Sequence, residues 1–206
     1  MGLRSLLPPV PAGKERSMND KEIRAVYTED TVRVYQAYSP LIAEEAVEKG
    51  RFGPHFSRNR MTWIKPSFLW MMYRCGWARK PGQERVLAID IRRDAFDGIV
   101  KHAVLSSYHP EMGISREEWQ RAVACSDIRC QWDPERDIHG NHLPYRSIQL
   151  GLRGAAVGSY VNEWIVRLSD ITEYVERLRA QKEAGVPIAG LLPPERPYPV
   201  AEEELK

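Results

Sequence analysis

The chain has 206 residues, of which 43% are hydrophobic and 28% are charged, and its formal net charge is +2. This length provides for one well-packed domain, and the composition is that of an ordinary globular protein. A net charge this small does not by itself indicate a nucleic-acid-binding protein. The apolar run at residues 68–73 is far shorter than the roughly 20 residues of a membrane helix, so we expect no membrane partner.

Three further patterns argue against a secreted, disulfide-linked or metal-binding protein. Pro8, Pro9 and Pro11 interrupt the short Leu-rich run near the N-terminus, which argues against a signal peptide and favours a cytoplasmic location. The three cysteines fit neither paired disulfides nor a four-ligand zinc site. His139 and His142 lie in a polar loop without a companion carboxylate or cysteine at ligand spacing, so no metal is expected.

The ends of the chain differ in composition from its middle. Residues 1–22 and 183–206 are rich in proline and charge, which predicts flexible tails on a single globular domain at 23–182. The domain begins with a near alternation of β-branched and aromatic residues, which predicts a strand at 31–39. A helix follows and ends at Gly50.

The segment "RMTWIKPSFLWMMYRCGW" combines a short strand with a helix that begins near Pro66. This helix is apolar on all sides, so it is predicted to lie between other elements. Further along, Ser115 and Glu118 have the spacing of a capping box. Other predicted elements are strands at 85–91, 128–134, 146–152 and 163–172 and helices at 93–108, 115–125 and 169–185.

This mixture of strands and helices lacks the strict alternation of a doubly wound fold. We therefore predict a single α+β domain with a mixed or antiparallel sheet and flanking helices. The sequence also lacks a nucleophile elbow, a phosphate-binding glycine loop and a dinucleotide-binding glycine fingerprint, which excludes the classical enzymes that carry them.

Positive charge is concentrated in one part of the chain. Residues 49–83 contain eight Lys or Arg and no Asp or Glu, with aromatic side chains between them. Guanidinium groups bind phosphates and aromatic rings stack on bases, so the segment suits a dinucleotide or a nucleic acid. The alternative is that acidic residues from elsewhere in the fold neutralise this basic segment.

Two charged residues interrupt apolar strands. Glu163 opens "EWIVRLSDIT", where its carboxylate is predicted to face the end of a sheet. Arg33 interrupts the strand "TVRVYQAYS". The alternatives are an acid at a strand edge paired with a nearby Arg, and an outward-facing strand position for Arg33.

Six segments together carry a resemblance to a known family: "RAVYTEDTVRVYQAYS", "RMTWIKPSFLWMMYRCGW", "KPGQERVLAIDI", "QWDPERD", "YRSIQLGL" and "EWIVRLSDIT". Over about residues 24–180 the chain resembles domain-of-unknown-function family 4291, which occurs in bacteria and fungi and implies no activity. It also resembles the ADP-ribosyltransferase fold, in which residues from three strands surround NAD.

The second resemblance implies a split sheet, NAD as cofactor, no metal, and a transferase acting on an unknown acceptor. It implies that Thr62 or Trp63 occupies the second-strand position. It also implies two catalytic residues, Glu163 as the acid and Arg33, which anchors NAD. A carboxylate in that place stabilises the oxocarbenium-like state formed as the nicotinamide bond breaks. The implied NAD-binding residues are Arg33, Tyr35, Arg60, Thr62, Trp63 and Lys65.

Two other functions are compatible with the sequence. The first is an RNA- or DNA-associated protein, either a binder or a phosphate-transfer enzyme, that uses the basic segment together with Arg146, Ser147 and Gln149. The second is a protein-interaction module without catalytic activity.

Overall fold

The computed structural model describes residues 21–200. The predicted N-terminal tail, 1–22, therefore lies outside the described residues except at its last two positions. The described strands are β1 (Arg24–Ala25), β2 (Thr31–Tyr38), β3 (Thr62–Ile64), β4 (Arg85–Arg92), β5 (Val104–Leu105), β6 (Ile128–Arg136), β7 (His142–Leu152), β8 (Ile165–Asp170) and β9 (Arg196–Pro197). The described α-helices are α1 (Pro40–Lys49), α2 (Phe68–Cys75), α3 (Arg93–His102), α4 (Arg116–Cys125), α5 (Gly154–Ser159) and α6 (Thr172–Glu183).

Two sheets adjoin along β2 and β3. The first has the order β2-β4-β8 and is antiparallel throughout; the second has the order β3-β7-β6-β5, in which only β5 runs parallel to its neighbour. They are joined where the Tyr35 N–H donates a 2.7 Å hydrogen bond to the Lys65 carbonyl. The predicted single α+β domain is confirmed, and the likeness to an ADP-ribosyltransferase sheet stays a prediction.

The first sheet is covered on both faces. On one face, strand residues such as Val34 and Ile89 pack with apolar residues of α1, α3 and α5 in the main core. On the other face, Tyr35 and Ala88 pack with α2 and α6 in a second cluster. Because side chains alternate along a strand, β2 supplies neighbouring residues to different cores.

Helix α2 is the centre of the second cluster. The Ser67 hydroxyl caps it by accepting a 3.1 Å hydrogen bond from the Trp70 N–H, and Gly76 ends it with a left-handed φ of 59°. Phe68 and Met72 are fully buried, as the sequence predicted, whereas Tyr73 is half exposed. The helix is therefore buried on most of its surface rather than on all sides.

The described part of the C-terminal segment packs against the domain, which corrects the predicted tail at 183–206 as far as residue 200; residues 201–206 lie outside the described residues. Strand β9 pairs with β1, and both Ile188 and Tyr198 are buried. Proline fits a short edge strand because such a strand need not donate every backbone hydrogen bond. Proline content therefore did not distinguish a tail from an extended segment held by two buried side chains.

Two strand ends also differ from the prediction. Strand β6 continues beyond Pro134 through a β-bulge, and β8 begins at Ile165, so Glu163 precedes it. None of the helices within residues 21–200 has both the length and the apolar character needed to cross a bilayer.

Candidate functional site

A cleft of about 640 Å³ lies where the two sheets adjoin. The outer face of the second sheet forms its floor, and α2 forms one wall. Its lining includes polar, basic and aromatic side chains: Tyr35, Gln36, Arg60, Thr62, Trp63, Lys65, Trp70, Arg74, Gln131, Asp133 and Gln149.

The polar floor of the cleft follows from strand alternation. Gln149 pairs directly with Gln131 across β7 and β6, and residues paired in this way lie on the same face. Their neighbour Leu150 points to the main core instead. On the same floor, Gly151 leaves room for Trp63: a Cβ atom at Gly151 would lie 3.0 Å from the Trp63 ring.

Hydrogen bonds fix the cleft where the sheets adjoin. The Gln36 amide nitrogen donates to the Thr62 hydroxyl and to the Trp63 carbonyl, each at 2.9 Å. The Tyr160 hydroxyl donates to the Gln36 amide oxygen at 2.8 Å. Thr62 is thus held by the main core, and its role at this point is to position β3 beside β2.

Lys65 is the most unusual residue of the cleft. Its side chain is only 2% exposed, and its Nζ lies 3.1 Å from Oδ2 of Asp133 and 3.2 Å from the centre of the Trp70 ring. Burial lowers the pKa of Lys65 to about 7, and the opposing attraction of Asp133 is weaker than that effect. A substantial fraction of the amine is therefore neutral near pH 7, which allows it to act as a base or a nucleophile.

Two buried hydroxyls accompany Lys65 on this side of the sheets. Tyr35, which lines the cleft, and Ser147, which pairs with Asp133 across the strands, are both nearly inaccessible. Within residues 21–200 neither hydroxyl has a hydrogen-bond partner. Burial keeps the pKa of Tyr35 well above its ordinary value, so its hydroxyl is a donor at neutral pH.

The cleft also keeps part of the positive charge of the basic segment. Lys49, Lys65 and Arg79 each have a carboxylate partner from outside that segment, at 2.6, 3.1 and 2.8 Å. Arg60 and Arg74 line the cleft, are exposed, and have no ion-pair partner in the part of the chain that the structure describes. Neutralisation from elsewhere in the fold is therefore incomplete, and two guanidinium groups are left at the cleft.

The sequence matches one family model, that of a domain of unknown function (DUF4291), over residues 22–198. The chain belongs to this family. The match covers both sheets and every cleft residue named above, and it confirms the resemblance inferred from the six segments. A comparison with curated proteins finds no match.

The cleft brings together six of the residues proposed from the sequence. These are Tyr35, Arg60, Thr62, Trp63, Lys65 and Gln149. Ser147 and Arg146 do not line it: Ser147 is buried, and the Arg146 guanidinium donates to the Trp132 carbonyl at 3.2 Å.

The two residues proposed for catalysis also lie outside the lining of the cleft. Both Nε and Nη2 of Arg33 bind the carboxylate of Asp90, at 2.7 and 2.9 Å. Glu163 is exposed in a π-helical turn, Tyr160–Trp164, that precedes β8. Its neighbour Asn162 accepts a 3.4 Å hydrogen bond from Arg58.

Sequence reasoning missed several residues of the cleft, among them Gln131 and Asp133. Both alternate with the apolar residues Cys130 and Trp132 in β6, so a period of two could have placed them on one polar face. Their position opposite Lys65 depends on which strands are neighbours, and the sequence did not give that order. No group of three or more His, Cys, Asp or Glu within residues 21–200 is arranged to hold a metal ion.

Proposed function

We propose that the cleft binds a nucleotide and that NAD is the first ligand to test. The observation that carries this proposal is a pair of cleft arginines, Arg60 and Arg74, for which residues 21–200 supply no ion-pair partner. Guanidinium groups bind phosphate oxygens through paired hydrogen bonds, and the half-buried Trp63 offers an indole on which a base or nicotinamide ring can stack. The cleft volume of about 640 Å³ lies within the usual range of small-molecule sites.

ADP-ribosyl transfer from NAD is the candidate reaction. The Arg58–Asn162 contact supports it, because that contact brings the turn containing Glu163 beside the segment that leads into β3. Arg33 binds Asp90 through Nε and Nη2, so its Nη1 is the nitrogen that can donate to a phosphate. Glu163 would then stabilise positive charge on the ribose as the nicotinamide bond breaks.

Thermal-shift titration tests the binding proposal. NAD and ADP-ribose are expected to raise the melting temperature, since a ligand at 100 times its Kd adds about 2.7 kcal/mol of stability. Adenosine, which lacks phosphate, is expected to have little effect. The double variant Arg60→Gln/Arg74→Gln should lose the response, and the control Arg121→Gln, at an exposed position of α4, should keep it.

The titration has two outcomes that oppose the proposal. A short RNA that raises the melting temperature in a salt-sensitive way, without any effect of NAD, favours the nucleic-acid function instead. A flat response to every ligand favours an interaction module.

The transfer reaction is tested separately by nicotinamide release. The Glu163→Gln variant should bind NAD as the wild type does and should release nicotinamide at least 100-fold more slowly. The exposed Glu173→Gln variant is the matched control and should keep the wild-type rate. Equal rates for Glu163→Gln and the wild type would remove Glu163 from the reaction.

A further inference from the structure

We propose that Lys65 is a nucleophile that accepts the adenylyl group of a nucleotide containing a phosphoanhydride. This inference rests on the proposed nucleotide binding and assigns a reaction to the floor of the cleft. The product is a phosphoramidate, in which Nζ of Lys65 is bonded to phosphorus. NAD and ATP share the adenylyl phosphoanhydride, so both are candidate donors.

The surroundings of Lys65 do not satisfy a permanently charged ammonium group. An ammonium has three N–H donors, yet within residues 21–200 Nζ has one hydrogen-bond partner, Asp133. The face of the Trp70 ring occupies a second side. A buried charge with one carboxylate partner is costly, and an apolar residue would fill the same place at lower cost, so a purely structural role explains Lys65 poorly.

The neighbouring groups suit an attack on phosphorus. Asp133 lies 3.1 Å from Nζ and can accept the proton that the amine loses. Burial lowers the pKa of Lys65 to about 7, so the neutral amine is available. Arg60 and Arg74 supply positive charge for the leaving phosphate, as electrostatic stabilisation of phosphoryl transfer requires.

Tyr35 also has a polar group that is left unused, because its hydroxyl has no hydrogen-bond partner within residues 21–200. Tyr35 is 1% exposed, lines the cleft and pairs with Lys65 across the sheet junction, so both side chains lie on the same face. Buried hydroxyls normally have a partner. The Tyr35 hydroxyl is therefore an available donor for a ligand bound at the sheet junction.

The atoms balance in a single displacement. The Nζ lone pair forms a bond to the adenylyl phosphorus while the bond from phosphorus to the bridging anhydride oxygen breaks. ATP then releases pyrophosphate, and NAD releases nicotinamide mononucleotide. The proton from Nζ passes to Asp133, and no oxidant or reductant takes part.

Covalent labelling of the full chain tests this inference. The protein is incubated with Mg²⁺ and either ATP labelled at the α-phosphate or NAD labelled at the adenylyl phosphate, and is then denatured. We expect label that is stable to base and lost in acid, as a phosphoramidate requires, and that maps to the peptide containing Lys65. The donor that gives label identifies the nucleotide.

Two variants test the roles of Lys65 and Asp133, and a third variant is the control. Lys65→Arg keeps a positive charge and should label at least 100-fold less, and Asp133→Asn should label at least 10-fold more slowly. Lys49→Arg, at an exposed position of the same basic segment, should label as the wild type does. Circular dichroism establishes that each variant is folded, and peptide mapping of the wild-type protein gives the labelled site even if a variant fails to fold.

The outcomes separate this inference from the proposed function. Label from γ-phosphate-labelled ATP, or label that maps to another residue, would overturn the assignment of Lys65. A nucleotide-dependent rise in melting temperature without any label would refute the assignment of Lys65 as a nucleophile and leave the binding proposal intact. The absence of both would overturn the two together.

Discussion

Glu195 provides a quantitative test of how the C-terminal segment packs. Its carboxylate accepts a 2.6 Å hydrogen bond from the Phe68 N–H at the start of α2, and the side chain is partly buried. Burial raises the pKa of Glu195 from 4.5 to about 8. The hydrogen bond from Phe68 opposes this rise, and the charge of the buried Glu135 adds to it.

Because the pKa of Glu195 is raised in the folded state, the folded protein loses stability as the pH increases. As the pH increases above 4.5, the unfolded chain loses this proton first, so the folded state becomes relatively less stable until about pH 8. One pH unit corresponds to about 1.36 kcal/mol, which gives an upper limit of ~5 kcal/mol. Because Glu195 is partly exposed, we expect about 2–3 kcal/mol.

The variant Glu195→Gln should remove this loss while its amide oxygen still accepts the Phe68 N–H. The variant and the wild type should have similar free energies of unfolding at pH 4.5, and the variant should be more stable by about 2–3 kcal/mol at pH 8.5. Urea denaturation at the two pH values measures the difference. Glu29→Gln, at an exposed position, is the control. If Glu195→Gln shows the same pH dependence as the wild type, the carboxyl is not buried in the way described.

Four further substitutions test the cleft, the residues that hold it and one helix, each by urea denaturation. Tyr35→Phe removes a hydroxyl without a hydrogen-bond partner among residues 21–200 and should add up to about 1 kcal/mol of stability. Tyr160→Phe breaks a buried hydrogen bond and should cost about 1–3 kcal/mol. A loss of stability in Tyr35→Phe together with a gain in Tyr160→Phe would contradict the assigned partners. Gly151→Ala places a Cβ 2.6 Å from the Met61 sulfur, so it should cost about 1–3 kcal/mol of stability and weaken nucleotide binding. An unchanged free energy of unfolding would show that the residues at the floor of the cleft are not closely packed. Ser115→Ala removes the cap of α4 and should cost about 1 kcal/mol, and no loss would show that the capping box is not formed.

Local signals in the sequence predicted much of the secondary structure. The capping box at Ser115 and Glu118 is present, and Gly50 ends α1 as its left-handed cap. These features depend on groups a few residues apart, whose hydrogen bonds form in the same way in many folds. The mixed α+β class followed from the order of such elements.

Residues of the cleft were predicted where they share one stretch of chain. Arg60, Thr62, Trp63 and Lys65 lie within six positions, and one short strand with the turn before it brings them all to the cleft. Glu163 was assigned from its place at the start of an apolar run. That place predicts that Glu163 lies near the end of a strand, but it does not fix the distance from Glu163 to residues of another strand.

The sequence by itself determined the elements, the single domain, the family and the basic aromatic segment, because these depend on composition and on neighbours along the chain. Only the tertiary structure decided that Asp133 lies beside Lys65 and that the C-terminal segment packs against β1. Both contacts join parts of the chain more than 60 residues apart, 68 in the case of Lys65 and Asp133. Strand order and register set such contacts, and they also set the burial that gives Lys65 a pKa near 7.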